Sequence, residues 1–121
     1  MCGEKRNIVK EKSYTFALEI VNLCKYLRES KRDSILSNQI LRSGVSIGSN
    51  IEESVGSNSK RDFIFKMSIA YRESRETKYW LRLLKDAEYI DLSKYVNLES
   101  KCAELIKILG KIIGTTKSNM K

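Results

Sequence analysis

The sequence contains no histidine and no proline. Without histidine there is no His-based catalytic triad, no imidazole metal ligand and no imidazole switch near neutral pH. Carboxylates, serines and lysines remain for catalysis, and none stands in a recognisable nucleophile or phosphate-loop motif. No enzyme, catalytic residue, metal or cofactor is therefore expected. Without proline, nothing along the chain obliges a helix to break. The three cysteines, Cys2, Cys24 and Cys102, are odd in number and far apart, without the close pairing that zinc and redox sites use. Cys24 and Cys102 read as small hydrophobes in a reducing compartment. No apolar run approaches the roughly 18 residues of a membrane span, and the opening MCGEKRNIVKEK lacks a signal-peptide core. The expectation is a cytoplasmic protein without membrane contact.

What is present is helical periodicity on the scale of one domain. A length of 121 residues suits a single core, and 41% hydrophobic with 31% charged residues is the balance of a soluble globular chain. Apolar residues recur at alternating steps of three and four in four segments, roughly 8–29, 34–55, 60–89 and 92–113. The first carries Phe16, Ile20, Leu23 and Leu27, with Cys24 beside them, and the second Leu36, Ile40, Ile47 and Ile51. The third is the most regular, running Phe63, Met67, Ala70, Ser74, Thr77, Leu81, Leu84, a seam with a narrow polar centre. The fourth carries Tyr95, Leu98, Cys102, Leu105, Leu109 and Ile112. Gly56 reads as a helix stop, Ser59 and Asp91 as N-caps, and Gly114 as the end of the fourth helix. Short connections make consecutive helices antiparallel, so the expected fold is an all-α, up-down-up-down four-helix bundle spanning 1–121.

The stretch LRSGVSIGSNIEES, from Leu41 to Ser54, places two glycines inside the second helix, where each loses about 1 kcal/mol relative to alanine. Projected at 100° per residue, Gly44 falls with Ile40, Ile47 and Ile51, and Gly48 lies beside that stripe, so both admit a close-packed neighbour. The opposite side gathers Arg42, Ser46, Ser49 and Glu53, with Asn50 at its border. This short-chained face of mixed charge is a candidate contact surface for another subunit or a ligand.

LRSGVSIGSNIEES followed by SKRDFIFKMSIAYRESRETKYWLRLL resembles the bacterial four-helix-bundle family known as the 23S ribosomal-RNA intervening-sequence protein family, over about Tyr14 to Leu109. The common motif has proline where this chain has Gly48, and an alanine or glycine pair near Glu53 and Ser54. The present version is similar to a glycine-containing branch that shares ETKYWLRLL. The resemblance implies a small antiparallel bundle assembled into a ring-like homopentamer. By the same resemblance, relatives include proteins encoded within ribosomal RNA gene insertions. A relative is the accessory variability protein of diversity-generating retroelements, which partners a reverse transcriptase and nucleic acid.

Charge supplies an independent clue. Lys and Arg total 23 against 15 Asp and Glu, a net +8 that favours polyanionic partners. On the third helix Arg75, Lys78, Arg82 and Lys85 step 3, 4 and 3, with Arg72 just before them, forming a basic ridge beside the apolar seam. Lys101, Lys107 and Lys111 add positive charge on the fourth helix, while Glu73 and Glu76 break up the ridge. Tyr71, Tyr79 and Trp80 interleave with it, as packing aromatics or as stacking platforms for bases. Glu52, Glu53, Glu73 and Glu76 lack the histidine partners of a di-metal bundle. Two functions stand: an oligomeric accessory protein binding RNA or DNA through the ridge, or a protein-interaction scaffold with no direct nucleic-acid role.

Overall fold

The structure, a computed structural model, describes the backbone of residues 2–120 and the side chains of residues 8–120. Four helices follow in order: α1 (Cys2–Ser30), α2 (Ile35–Ser54), α3 (Lys60–Asp86) and α4 (Leu92–Ser118). There is no strand among the described residues. Each helix packs on two neighbours, α1 on α2 and α4, and α3 on α2 and α4, which closes a square. Contacts across the seams fix the direction of every pair. Lys10 reaches Glu52 and Gly44 faces Ile20, so α1 and α2 are antiparallel. Lys66–Glu53 with Arg42–Glu73, Lys78–Glu99 with Tyr71 against Gly110, and Lys12–Glu104 with Lys101–Glu19 do the same for the other three seams.

The helix ends show the local chemistry. Ser59 accepts the amide of Asp62 at 3.0 Å and Asp91 that of Lys94 at 2.7 Å, satisfying donors that a helix start leaves orphaned. At the start of α2 the side chain of Ser34 makes no cap bond, and Asp33 accepts the Ser37 amide at 3.0 Å instead. Gly56 follows α2 without a left-handed conformation. Among the described residues the left-handed ones are Arg32 (φ 54°) and Glu88 (φ 65°), which end α1 and α3. At Glu88 the amides of Glu88 and Tyr89 bond back to Lys85 and Leu84, the Schellman pattern that glycine ordinarily serves. Helix α4 continues through Gly114 to Ser118, four residues beyond that glycine. Thr116 is buried there with its hydroxyl on the Ile112 carbonyl at 2.8 Å. An apolar seam that still has a neighbour to meet outweighs one glycine's propensity.

The core takes most of the inward positions of the four stripes. Phe16, Ile20, Leu27, Ile40, Ile47, Ile51, Met67, Leu81, Leu84, Leu105 and Leu109 are each no more than 1% exposed; each stabilises by roughly 1.5–3 kcal/mol on transfer from water. Phe63, Leu36 and Tyr95 sit half-buried at its rim. Val9 and Ser13 extend the α1 stripe one turn and more before Phe16. The polar centre is real and satisfied. Thr77 Oγ1 bonds the Glu73 carbonyl at 2.8 Å and Ser43 Oγ at 2.9 Å, Cys102 donates to the Ser74 carbonyl at 3.1 Å, and Cys24 to that of Ser37 at 3.3 Å. Burial pushes the Cys24 thiol up to about 11, against a lowering from Arg28. Burial, then Glu99, pushes Cys102 up to about 12. The side chain of Cys2 lies outside the described residues.

Of the two glycines inside α2, close packing requires Gly44 and not Gly48. A Cβ at Gly44 meets Ile20 Cγ2 at 2.9 Å and Cγ1 at 3.0 Å, whereas one at Gly48 meets the Ser13 carbonyl oxygen at an ordinary 3.5 Å. Gly44 is the point of close approach between α1 and α2.

Candidate functional site

Helix geometry splits the two flanks of α3. Residues 73, 76 and 80 lie toward α2, and residues 71, 75, 78, 82 and 85 toward α4. On the α2 flank, Arg42 pairs with Glu73 at 3.4 Å and, more closely, with Glu76. The indole N–H of Trp80 also donates to Glu76 at 3.0 Å. The Trp80 bond, then Arg42, holds the Glu76 carboxyl below the usual carboxylate range against the opposing effect of burial. The acidic residues therefore do not interrupt the basic ridge; they are turned away from it and neutralised by another helix.

The same flank contains the short-chained face of α2. Arg42 is tied to α3 as above, and Glu53 accepts from Lys66 at 3.0 Å, a bond that raises the Lys66 ammonium's pKa. Asn50 donates to the carbonyl and hydroxyl oxygens of Ser46 at 2.9 and 3.0 Å, and Ser49 to the Ser46 carbonyl at 3.2 Å. At both charged ends this face reaches α3 of its own chain.

The opposite flank forms a groove of about 240 Å³ between α3 and α4, lined by Arg75, Lys78, Tyr79, Arg82 and Tyr95. Arg75, Lys78 and Arg82 come from the ridge, and Tyr79 is one of the aromatics interleaved with it. Tyr95 was legible only as a core-stripe residue, yet residues equidistant from a tight turn oppose each other in an antiparallel pair, which sets it against Lys85. The Lys85 ammonium lies 4.6 Å from the Tyr95 ring centroid and 3.4 Å from Asp86. The Arg75 guanidinium lies 5.8 Å from the Tyr71 centroid and that of Arg82 5.9 Å from Tyr79, both near the outer limit of a cation–π contact. Tyr71 is half-buried against Gly110, so it packs, while Tyr79 is 49% exposed at the groove's lip. Trp80, on the α2 flank, meets Tyr79 edge to face at 5.3 Å between centroids.

The cations differ in how far they are neutralised. Lys78 faces Glu99 at 3.8 Å and Lys101 bonds Glu19 at 2.7 Å on the α1 side, away from the groove. Among the described residues, Arg72, Arg75 and Arg82 have no carboxylate partner. All three are exposed. Among the described residues no three His, Cys, Asp or Glu side chains gather as a metal site, and no helix is long and apolar enough to cross a membrane.

Four antiparallel helices around one core, with a cationic and aromatic groove along one seam, define a small helical-bundle protein. The chain belongs to the 23S rRNA-intervening sequence protein family, whose model matches residues 5–111. Among solved structures it is similar to a protein of unknown function from the S23 ribosomal protein family of Bacteroides thetaiotaomicron VPI-5482. That likeness has 46% sequence identity and a TM-score of 0.89, over 91% of this chain and 98% of the other. No curated protein matches the chain.

Proposed function

We propose that this chain is a non-enzymatic, oligomeric accessory protein of the cytoplasm that binds RNA or DNA electrostatically along the α3/α4 seam. The observation that carries the reading is the pair Arg75 and Arg82, exposed guanidiniums on the α4 flank of α3 without a carboxylate partner among the described residues, lining a groove together with Lys78, with exposed Arg72 on the outward face of the same helix. Elsewhere Glu52, Glu104, Glu73, Glu53 and Glu19 are drawn into pairs with Lys10, Lys12, Arg42, Lys66 and Lys101. A backbone phosphate is the counterion that guanidinium geometry suits best. Contacts of this kind give affinity and salt dependence, with little reading of base sequence. Several copies in a ring, the homopentamer implied by the family resemblance, multiply a modest site by avidity. A reverse transcriptase as protein partner rests on the same resemblance.

The test is a fluorescence-anisotropy titration of nuclease-treated protein against labelled RNA and duplex DNA at several salt concentrations, with native mass measured alongside. Binding that weakens steeply with salt supports the reading, and absence of binding at low salt overturns it. The second reading, a protein-interaction scaffold, is favoured by Tyr14 and Leu18, 64% and 50% exposed one turn apart on α1, with exposed Val45 on α2 beside the Gly44 approach. Salt-insensitive capture of a protein partner, abolished by Leu18→Glu, is its expected signature.

A further inference from the structure

Resting on the nucleic-acid reading above, we infer that the α3/α4 groove takes an unpaired strand, with a base stacked on Tyr79 while the flanking guanidiniums hold its phosphates. Three features of the groove carry this. The first is shape. A concave seam of about 240 Å³ between two helices has room for a flat, splayed ring, whereas a duplex keeps its base faces stacked inside and offers only its backbone and groove edges. The second is the aromatic content. Tyr79 is 49% exposed at the lip and the Tyr95 ring lines the floor. A duplex phosphate engages a tyrosine only through its hydroxyl, whereas an unstacked base uses the ring face, the platform that sequence-tolerant single-strand binders employ, and Tyr79 is the ring exposed for it.

The third feature is the fit of cation to ring. Arg75, Lys78 and Arg82 line the same groove as Tyr79. At 1.5 Å of rise per residue, Arg75 and Arg82 lie about 10 Å apart along the axis, two turns of one flank, with Tyr79 between them. Arg82 rests over the Tyr79 ring at 5.9 Å, the outer limit of a cation–π contact. Swinging that guanidinium to a phosphate uncovers the ring face at small cost. Trp80, edge-on to Tyr79 at 5.3 Å and anchored by Glu76, holds the tyrosine's orientation from behind.

The experiment compares full-length wild type, Tyr79→Ala and the double variant Arg75→Glu/Arg82→Glu for binding to a short unstructured RNA and to the same sequence as a blunt duplex. The expected result is tighter binding of the single strand, weakened about 5- to 160-fold by Tyr79→Ala, the range of one lost base stack, with duplex binding changed much less. The double variant is expected to lose both. Trp80, the one tryptophan, supplies a second readout, since a base on Tyr79 is expected to change its fluorescence on titration of the single strand only. Equal affinity for the two RNAs, preference for the duplex, or a Tyr79→Ala variant that binds as wild type overturns this inference and leaves the electrostatic reading standing. Failure of wild type to bind either RNA at low salt overturns both. Tyr79 lies outside the core cluster, and an unchanged thermal melt of its variant verifies that only the surface has been altered.

Discussion

Alanine at Gly44 opposes two effects of similar size. In a helix interior the change is worth about 1 kcal/mol of stabilisation from propensity alone. Against it stands the new Cβ, 2.9 Å from Ile20 Cγ2, 3.0 Å from Cγ1 and 3.3 Å from Cβ. Ile20 cannot yield, because a β-branched residue in a helix keeps essentially one χ1 rotamer, and these atoms sit at the branch itself. The backbones of α1 and α2 must separate by a few tenths of an ångström, loosening a fully buried part of the core, an overpacking cost of about 1–3 kcal/mol. Gly44→Ala is thus expected to destabilise by about 1 kcal/mol net, a Tm shift of about 3–6 °C for a domain of this size. Gly114→Ala, where a Cβ meets nothing within 4 Å, is expected to stabilise by about 0.5–1 kcal/mol. Urea unfolding of the two variants and of Ile20→Ala/Gly44→Ala, which removes the clash, gives the signs directly. If Gly44→Ala stabilises as much as Gly114→Ala, the close-approach account of Gly44 is wrong.

Other expectations follow from single features. Glu88→Gly relieves a left-handed conformation (φ 65°) at a helix end and is expected to raise stability by about 1 kcal/mol, measured by chemical denaturation; a loss refutes the Schellman assignment. Cys24 and Cys102, buried and with thiols pushed up to about 11 and 12, are expected to escape alkylation at pH 8 in the folded protein and to react once it is unfolded, as mass spectrometry reports. The depressed carboxyl of Glu76 contributes stability that is complete above the ordinary carboxylate value and is lost as pH falls through its lower folded value. The stability gap between wild type and Glu76→Gln is therefore expected to be constant near neutrality and to narrow below about pH 4.5; a gap that widens in acid contradicts the Trp80–Glu76–Arg42 arrangement.

The stripes of α1 to α4 were legible because apolar periodicity and the buried face are the same physical fact, and even the polar positions Ser74 and Thr77 could be placed inward by spacing. Two caps, Ser59 and Asp91, were legible because their side chains answer an obligatory orphan amide. Termination was not: Gly114 reads as a stop, yet the end of α4 depends on whether α4 still has a partner to cover, a tertiary quantity. Nor did the sequence show that Arg42, on an apparently free face of α2, reaches Glu73 and Glu76 across a seam. Thirty-one residues separate Arg42 from Glu73, and only the register of two helices joins them. The same limit hid Tyr95, assigned to the core stripe while its ring also lines the groove with Arg75 and Arg82.

The most direct test of the groove sets two charge-matched variants side by side in salt-dependent binding to RNA. One is Arg75→Glu/Arg82→Glu. The other is Lys25→Glu/Lys31→Glu, which reverses two exposed cations at the α1 end and lowers the net charge of +8 equally. If the groove holds the phosphates, the first variant loses binding, and at any residual affinity its slope of log Kd against log salt falls by about 2, while the second binds nearly as wild type, with the native mass of both unchanged. Equal loss in the two variants contradicts a localised site and leaves only the diffuse attraction of a basic protein for a polyanion.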